Sequence, residues 1–255
     1  MKKLFLLAGL AMSLFITSCD KKDKVDNPGN GGNTGKVLKQ ITSTEGGVVS
    51  VANLTYDANK RLTSIKSTDN KKVANFTYDA NGNLTKIEQS EEDFKLLFTF
   101  TYQNGVPVSG VLKNWTIENG VEELTQHDVV TYTVANNQVT KMKSIMKLNG
   151  DIEIEYNFTY QNGQIHTVES TGDFDFKATF AFGTKKPALP AITKFVLDQG
   201  GFSAQYGSKN ELLSITYDFP GTEQDFVIEN TYTYDANGYV LTSNNGTTQN
   251  TYTYQ

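Results

Sequence analysis

The 255-residue sequence has one cysteine, two histidines, one tryptophan and five prolines. A single cysteine excludes a disulfide framework and a cysteine-based metal site within the chain. Two histidines, His127 and His166, leave little for zinc, and neither stands in a recognisable catalytic motif beside a nucleophile. There is no basic excess: the net charge is −5 and the pI about 5.2. Nothing reads as a basic groove interleaved with stacking aromatics, so nucleic acid is excluded as a partner. No glycine-rich phosphate loop is present, and no cofactor is implied. Nowhere does a helical period of 3.6 persist. The one long apolar run, Leu4 to Ile16, is too short to span a bilayer as a mature helix.

That run is the first positive signal. Lys2 and Lys3 precede it as a positive n-region, and Ile16-Thr17-Ser18-Cys19 closes it. The pattern resembles a bacterial lipobox, an aliphatic residue and two small residues before Cys. The resemblance implies a signal peptide over 1–18, cleavage before Cys19, and acylation of its thiol and new amine. Several acyl chains at about 0.8 kcal/mol per buried CH₂ would hold the protein on a membrane. Residues 19–35 then read as a lipidated flexible tether, DKKDKVDNPGNGGNTG after the Cys, with almost nothing to bury. The charges right after Cys19 resemble surface-export signals of Bacteroidetes-type lipoproteins. The expected location is the cell envelope, at the outer membrane, on its surface or its periplasmic face.

Residues 36–255 form one domain with no linker-like break. Its unit is Val73 to Ser90, VANFTYDANGNLTKIEQS. Ala74, Phe76 and Tyr78 alternate with Val73, Asn75 and Thr77, the mark of a half-buried strand. Asp79-Ala80-Asn81-Gly82 has the chemistry of a type I turn followed by a left-handed Gly. Leu84 and Ile87, spaced by three, imply a bulge in the return strand. Variants recur at Tyr56-Asp57-Ala58-Asn59, with Lys60 where Gly is expected, and at Tyr234 to Gly238. Asn104-Gly105 and Asn162-Gly163 suit two-residue type I′ turns. Val134 to Asn137 is a weaker copy, and Phe182-Gly183 and Tyr206-Gly207 read as degenerate ones.

Turn spacing predicts an all-β antiparallel up-and-down meander of roughly sixteen to eighteen short strands built from repeated hairpins. So many strands cannot stay flat. An open circular barrel of this size would leave a lumen too wide for side chains to fill. The expectation is therefore a barrel-like or flattened two-layer sheet whose layers pack on each other. Pro187 and Pro190 mark an irregular corner.

YDANGNLTKI resembles the YD repeat of Rhs-type bacterial surface and toxin proteins at Tyr78, Asp79, Gly82 and Leu84. The lipobox, stalk and hairpin array together are similar to a family of Bacteroidetes-type lipoproteins of unknown function with a porin-like fold. That family brings no activity and no catalytic residues.

Candidate chemistry is sparse. Asp79-x-Asn81-x-Asn83 has the oxygen spacing of a calcium loop, but the hairpin turn explains the same residues. Asp173 with Asp175, and Asp151, Glu153 and Glu155, share strand faces. Paired carboxylates serve glycoside hydrolysis, whereas a solvated sheet face is the simpler reading. Trp115 is a possible binding residue, able to stack on a sugar or anchor a protein contact. The sequence thus points to a non-catalytic, lipid-anchored envelope β-domain that binds a protein or glycan partner. The alternatives are a carboxylate-dependent hydrolase acting on envelope polysaccharide and a membrane-embedded barrel.

Overall fold

The computed structural model describes residues 35–172 and 175–255. Cys19, the signal peptide, the tether up to residue 34, and Asp173 and Phe174 lie outside the described residues.

The chain runs up and down. β1 (Leu38–Glu45), β2 (Val48–Tyr56), β3 (Leu62–Ser67) and β4 (Val73–Tyr78) are followed by β5 (Leu84–Ser90) and β6 (Phe94–Gln103). Two long strands, β7 (Val106–Glu118) and β8 (Val121–Ala135), lead to β9 (Gln138–Met146), β10 (Ile152–Gln161), β11 (Gln164–Gly172) and β12 (Lys177–Phe182). After an irregular segment holding α1 (Gly201–Tyr206) come β13 (Leu212–Asp218), β14 (Phe226–Glu229), β15 (Thr231–Tyr234), β16 (Val240–Asn244) and β17 (Thr248–Tyr254). All seventeen strands belong to one sheet, and its ladders are antiparallel. β1 pairs with both β2 and β17, which joins the two ends of the meander.

Parity explains an oddity. A ring in which every neighbour is antiparallel needs an even number of staves. β14 pairs with β13 and β15 pairs with β16, with Asn230 alone between the two segments. They are halves of one strand that changes neighbour, so seventeen segments make sixteen staves. The Asn230 N–H donates to the Leu213 carbonyl and its side-chain amide to the Leu212 carbonyl, pinning the changeover. Each half leaves one edge outside a ladder, so the barrel is nearly closed.

Alternation sorts the faces. Inward positions such as Leu54, Ile65, Phe76, Ile87, Phe98, Leu112, Met142, Phe158 and Phe180 are buried. Outward positions carry cross-strand charge pairs: Lys141–Glu155 at 2.7 Å, Lys143–Glu153 at 2.5 Å and Lys177–Glu169 at 2.6 Å. A lipid-exposed barrel requires the reverse, an apolar outer band around a polar lumen. The polar exterior therefore argues against the membrane-embedded alternative.

The concern that a lumen this wide would stay unfilled is met by a plug, rather than by two sheet layers packing on each other. Residues 183–211, between β12 and β13, fold into the barrel. Ile192, Phe195, Leu197, Phe202, Ala204 and Tyr206 are all buried there. Contacts run to several sides of the wall: Phe76 meets Tyr206, Tyr102 meets Phe195, and the Tyr132 hydroxyl donates to the Leu197 carbonyl at 2.7 Å. Gly200 makes the closest approach. Its φ is +103°, and a Cβ there would lie 2.7 Å from the Phe180 ring and 3.0 Å from Val168. Asp198 holds the plug's one helical turn by accepting from the N–H groups of Phe202 and Ser203 and from the Ser203 hydroxyl. Pro187 and Pro190 belong to this segment, as expected of an irregular stretch. Tyr206-Gly207 is not a hairpin remnant: Tyr206 ends α1, and the Gly207 N–H closes it on the Ser203 carbonyl. Without cross-strand alternation around it, the dipeptide carried no turn.

Candidate functional site

The two ends of the barrel differ in chemistry. One end gathers the turns after β2, β4, β6, β8, β10 and β15, the entry of the plug, and both described termini. The repeat phrase is the local reason for its order. Asp79 accepts from the N–H groups of Asn81 (2.9 Å) and Asn83 (2.8 Å) and from the Asn83 side-chain amide. Gly82 takes φ +84°. Asp57 and Asp235 repeat the pattern toward Asn59 and Arg61, and toward Asn237 and Tyr239. These bonds hold the Asp57 and Asp79 carboxyls below the ordinary Asp value, with the Arg61 side chain adding to the effect at Asp57; Asp235 is lowered first by the hydrogen bond from the Lys36 ammonium and then by its turn N–H groups. The Asp79 oxygens are thus occupied by the turn itself, which answers the calcium reading. The expected bulge is present: Thr77 faces Lys86 while Tyr78 faces Leu84. It lets Tyr78 lean across to donate its hydroxyl to the Leu62 carbonyl at 2.8 Å, as Tyr56 does to Leu38 and Tyr160 to Val139.

At the other, far end the wall changes character. The inward side chains near that end of successive strands are Ser43, Ser50, Ser67, Gln89, Asn114, Asp128, Ser144, Ser170, Ser243 and Asn250, all buried or half-buried. They form a broken polar girdle, interrupted by Ala74, Leu96, Met146 and Ile154, where the turn-end half of the wall is mostly Leu, Ile and aromatic. Some members satisfy one another: Ser43 donates to Asn250, the Asn250 amide to Ser243, and Asn114 to Gln126, which donates to Asp128. Ser50 Oγ and Asn114 Oδ1 here, like the Tyr102 and Tyr254 hydroxyls at the turn end, are buried without a hydrogen-bond partner among the described residues, a state that costs about 1–3 kcal/mol per group.

Continuous with this girdle is a cavity of about 360 Å³. Its wall is β1 and β13 to β17, and the plug forms its floor through Leu189, Tyr206 and Ser208. Exposed Asn245 and Thr247 and half-buried Glu45 mark its far-end mouth. Two carboxylates line it. Glu211 is engaged, accepting from the Lys185 N–H at 2.6 Å and the Tyr234 hydroxyl at 3.1 Å. The Glu45 carboxylate makes no hydrogen bond or ion pair among the described residues.

The residues singled out from sequence are dispersed. Trp115 is half-buried on the outer face of β7, opposite Lys95 on β6 and Leu124 on β8. It sits at the base of the β7–β8 hairpin, which outruns its neighbours and carries exposed Val121 at its tip. His127 lies outward on β8, and His166 is the bulged residue opposite the Thr159/Tyr160 step. Glu153 and Glu155 are paired to lysines on the outer wall, and Asp151 to Lys147 at 3.1 Å. Asp175 is exposed; its partner in the pairing expected from sequence, Asp173, lies outside the described residues. Glu153 and Glu155 thus share the solvated outer face of β10, as alternation predicts, and the structure brings Trp115, His127, His166 and Asp175 into no common site. The girdle and cavity were missed, although Ser, Asn and Gln at inward positions of successive strands were in view as a signal.

The comparisons agree with this architecture. The RHS repeat family model matches residues 56–91, which span β3, β4 and β5 and the two Asp turns that flank β3 and β4. A porin-like protein from Bacteroides vulgatus ATCC 8482 superposes with a TM-score of 0.56 at 12% identity, covering 87% of this chain and 99% of that one. A porin-like protein from Bacteroides uniformis ATCC 8492 gives 0.51 at 14% identity, covering 86% and 96%. No curated protein matches the chain. The chain is thus similar to porin-like barrels in fold and to RHS repeats in its hairpin unit.

Proposed function

We propose that this protein is a lipid-anchored, non-catalytic barrel of the cell envelope that receives a ligand at the far end of its lumen. The observation that carries the reading is the polar, partly unfilled lumen at the pole opposite the point where the tether joins. Gly35 and Lys36 sit beside Tyr239 and Asp235 at the turn end. With Cys19 acylated, a tether of sixteen residues reaches about 55 Å when extended. The turn end would then face the membrane and the cavity would face away from it. The outer-membrane location rests on the lipobox and on the likeness in fold to porin-like proteins of two Bacteroides species. Trp115, below the projecting hairpin, is a secondary contact for a partner on the outer face.

The hydrolase alternative needs two free carboxylates facing one another across a cleft. Glu45 has no free counterpart on the cavity lining. The experiment is fractionation of cells expressing the full chain, with and without Cys19→Ala, followed by recovery of bound material from envelope extracts. The reading expects the membrane fraction to lose the variant, and the parent chain to retain a partner that Gln205→Trp, which fills the cavity, no longer holds. A Cys19→Ala chain still pelleting with membranes would refute the anchor. Equal recovery by Gln205→Trp would refute the far-end site.

A further inference from the structure

The lining of the cavity narrows the class of ligand. Resting on the far-end reading above, we infer that the cavity binds the terminal unit of an uncharged saccharide.

Two features carry this. First, no Lys, Arg or His lines the cavity, while Glu45 and Glu211 do. A phosphate, sulfate or uronate would enter with no counter-charge and against a carboxylate at the mouth. Second, the walls are amphipathic. The half-buried Tyr232 and Tyr252 side chains supply ring surface, and the Asn230, Asn250 and Gln205 amides supply donors and acceptors. Sugars present the matching pair of surfaces, an apolar face of C–H groups and a rim of hydroxyls. The tyrosine hydroxyls are already oriented, Tyr232 donating to the Leu212 carbonyl at 2.7 Å and Tyr252 sharing a hydrogen with Ser243 at 2.9 Å. The volume of about 360 Å³ falls within the roughly 300–1,000 Å³ of small-molecule sites. With the plug as its floor, the cavity accepts a chain end rather than a strand passing through.

The test is calorimetric titration of the purified full chain with uncharged gluco-, manno-, galacto- and N-acetylglucosamine trisaccharides, and with a uronic-acid trisaccharide. At least one uncharged sugar should bind and the uronic acid should not. Tyr252→Phe, which keeps the ring, should weaken binding up to about tenfold. Gln205→Trp should abolish it without lowering the melting temperature. Tighter binding of the uronic acid, no binding by any uncharged sugar at millimolar concentration, or an uncharged sugar bound equally by parent and Gln205→Trp would overturn the inference. Should Gln205→Trp fold poorly, Tyr252→Phe decides, and unchanged affinity counts against the site. Blank titrations with a partner still captured through the far end from envelope extracts would remove the saccharide and leave the far-end reading standing. Blank titrations with no partner captured would remove both.

Discussion

Truncating Leu197 tests whether the segment between β12 and β13 holds the barrel up from within. Leu197 is fully buried in the plug, and its carbonyl accepts the Tyr132 hydroxyl from the opposing wall. Leu197→Ala leaves that backbone bond in place and removes only packed atoms. Losses of this kind cost about 2–5 kcal/mol, because a close-packed surround relaxes only in part. For a domain of this size each kcal/mol moves the melting point by about 2–4 °C, so a fall of roughly 5–15 °C is expected. Leu213→Ala is the control. Leu213 is 37% exposed on the outer face of β13, and its truncation should cost under about 1 kcal/mol. Thermal unfolding followed by far-ultraviolet circular dichroism reads both. Equal shifts for the two variants would mean that Leu197 packs against nothing and that the lumen is not filled by this segment.

Three further outcomes follow from the same geometry. Tyr78→Phe removes the bond to the Leu62 carbonyl and should cost about 1 kcal/mol, whereas Tyr102→Phe removes a buried hydroxyl without a partner and should be neutral or stabilising; chemical denaturation distinguishes them, and the opposite order would count against the repeat geometry. Lys60 occupies the left-handed turn position with φ +61°, so Lys60→Gly should stabilise the first repeat by about 1 kcal/mol, read as a higher denaturation midpoint. Burial holds the Asp198 carboxyl above its ordinary value, so the folded state binds that proton more tightly than the unfolded chain. Its stabilising share is therefore full below about pH 4, the unfolded value, and declines as pH rises toward the folded one. The melting temperature of Asp198→Asn relative to the parent should accordingly improve between pH 4 and pH 7, and a relative decline over that range would contradict the burial.

Much of the wall was legible because its causes are local. Asp79, Gly82 and the three-residue step from Leu84 to Ile87 specify a turn and a bulge within one short window. Asn104-Gly105 and Asn162-Gly163 do the same through their positive φ angles. Closure was not legible, since pairing Ile41 with Tyr252 joins residues more than two hundred positions apart. Nor was the plug: Ile192, Phe195, Leu197 and Phe202 follow neither a period of two nor one of 3.6, and their burial depends on a lumen that exists only once the ring closes. The far-end girdle has the same history. Ser43, Ser243 and Asn250 carry no signal until the strands around them define an interior, and only then stand as its polar end. Trp115 drew attention by its rarity, yet it lies on the outer wall away from that cavity.

Hydrogen exchange at the backbone amides of Leu197, Phe202, Ser203 and Ala204 tests the filled lumen most directly. These N–H groups donate to Ser203, Asp198 and Gly200 within the plug. If the segment is packed inside the barrel, they should exchange as slowly as the amides of β4 and β10. Exchange on the timescale of the exposed hairpin turns, with the strands still protected, would contradict the account.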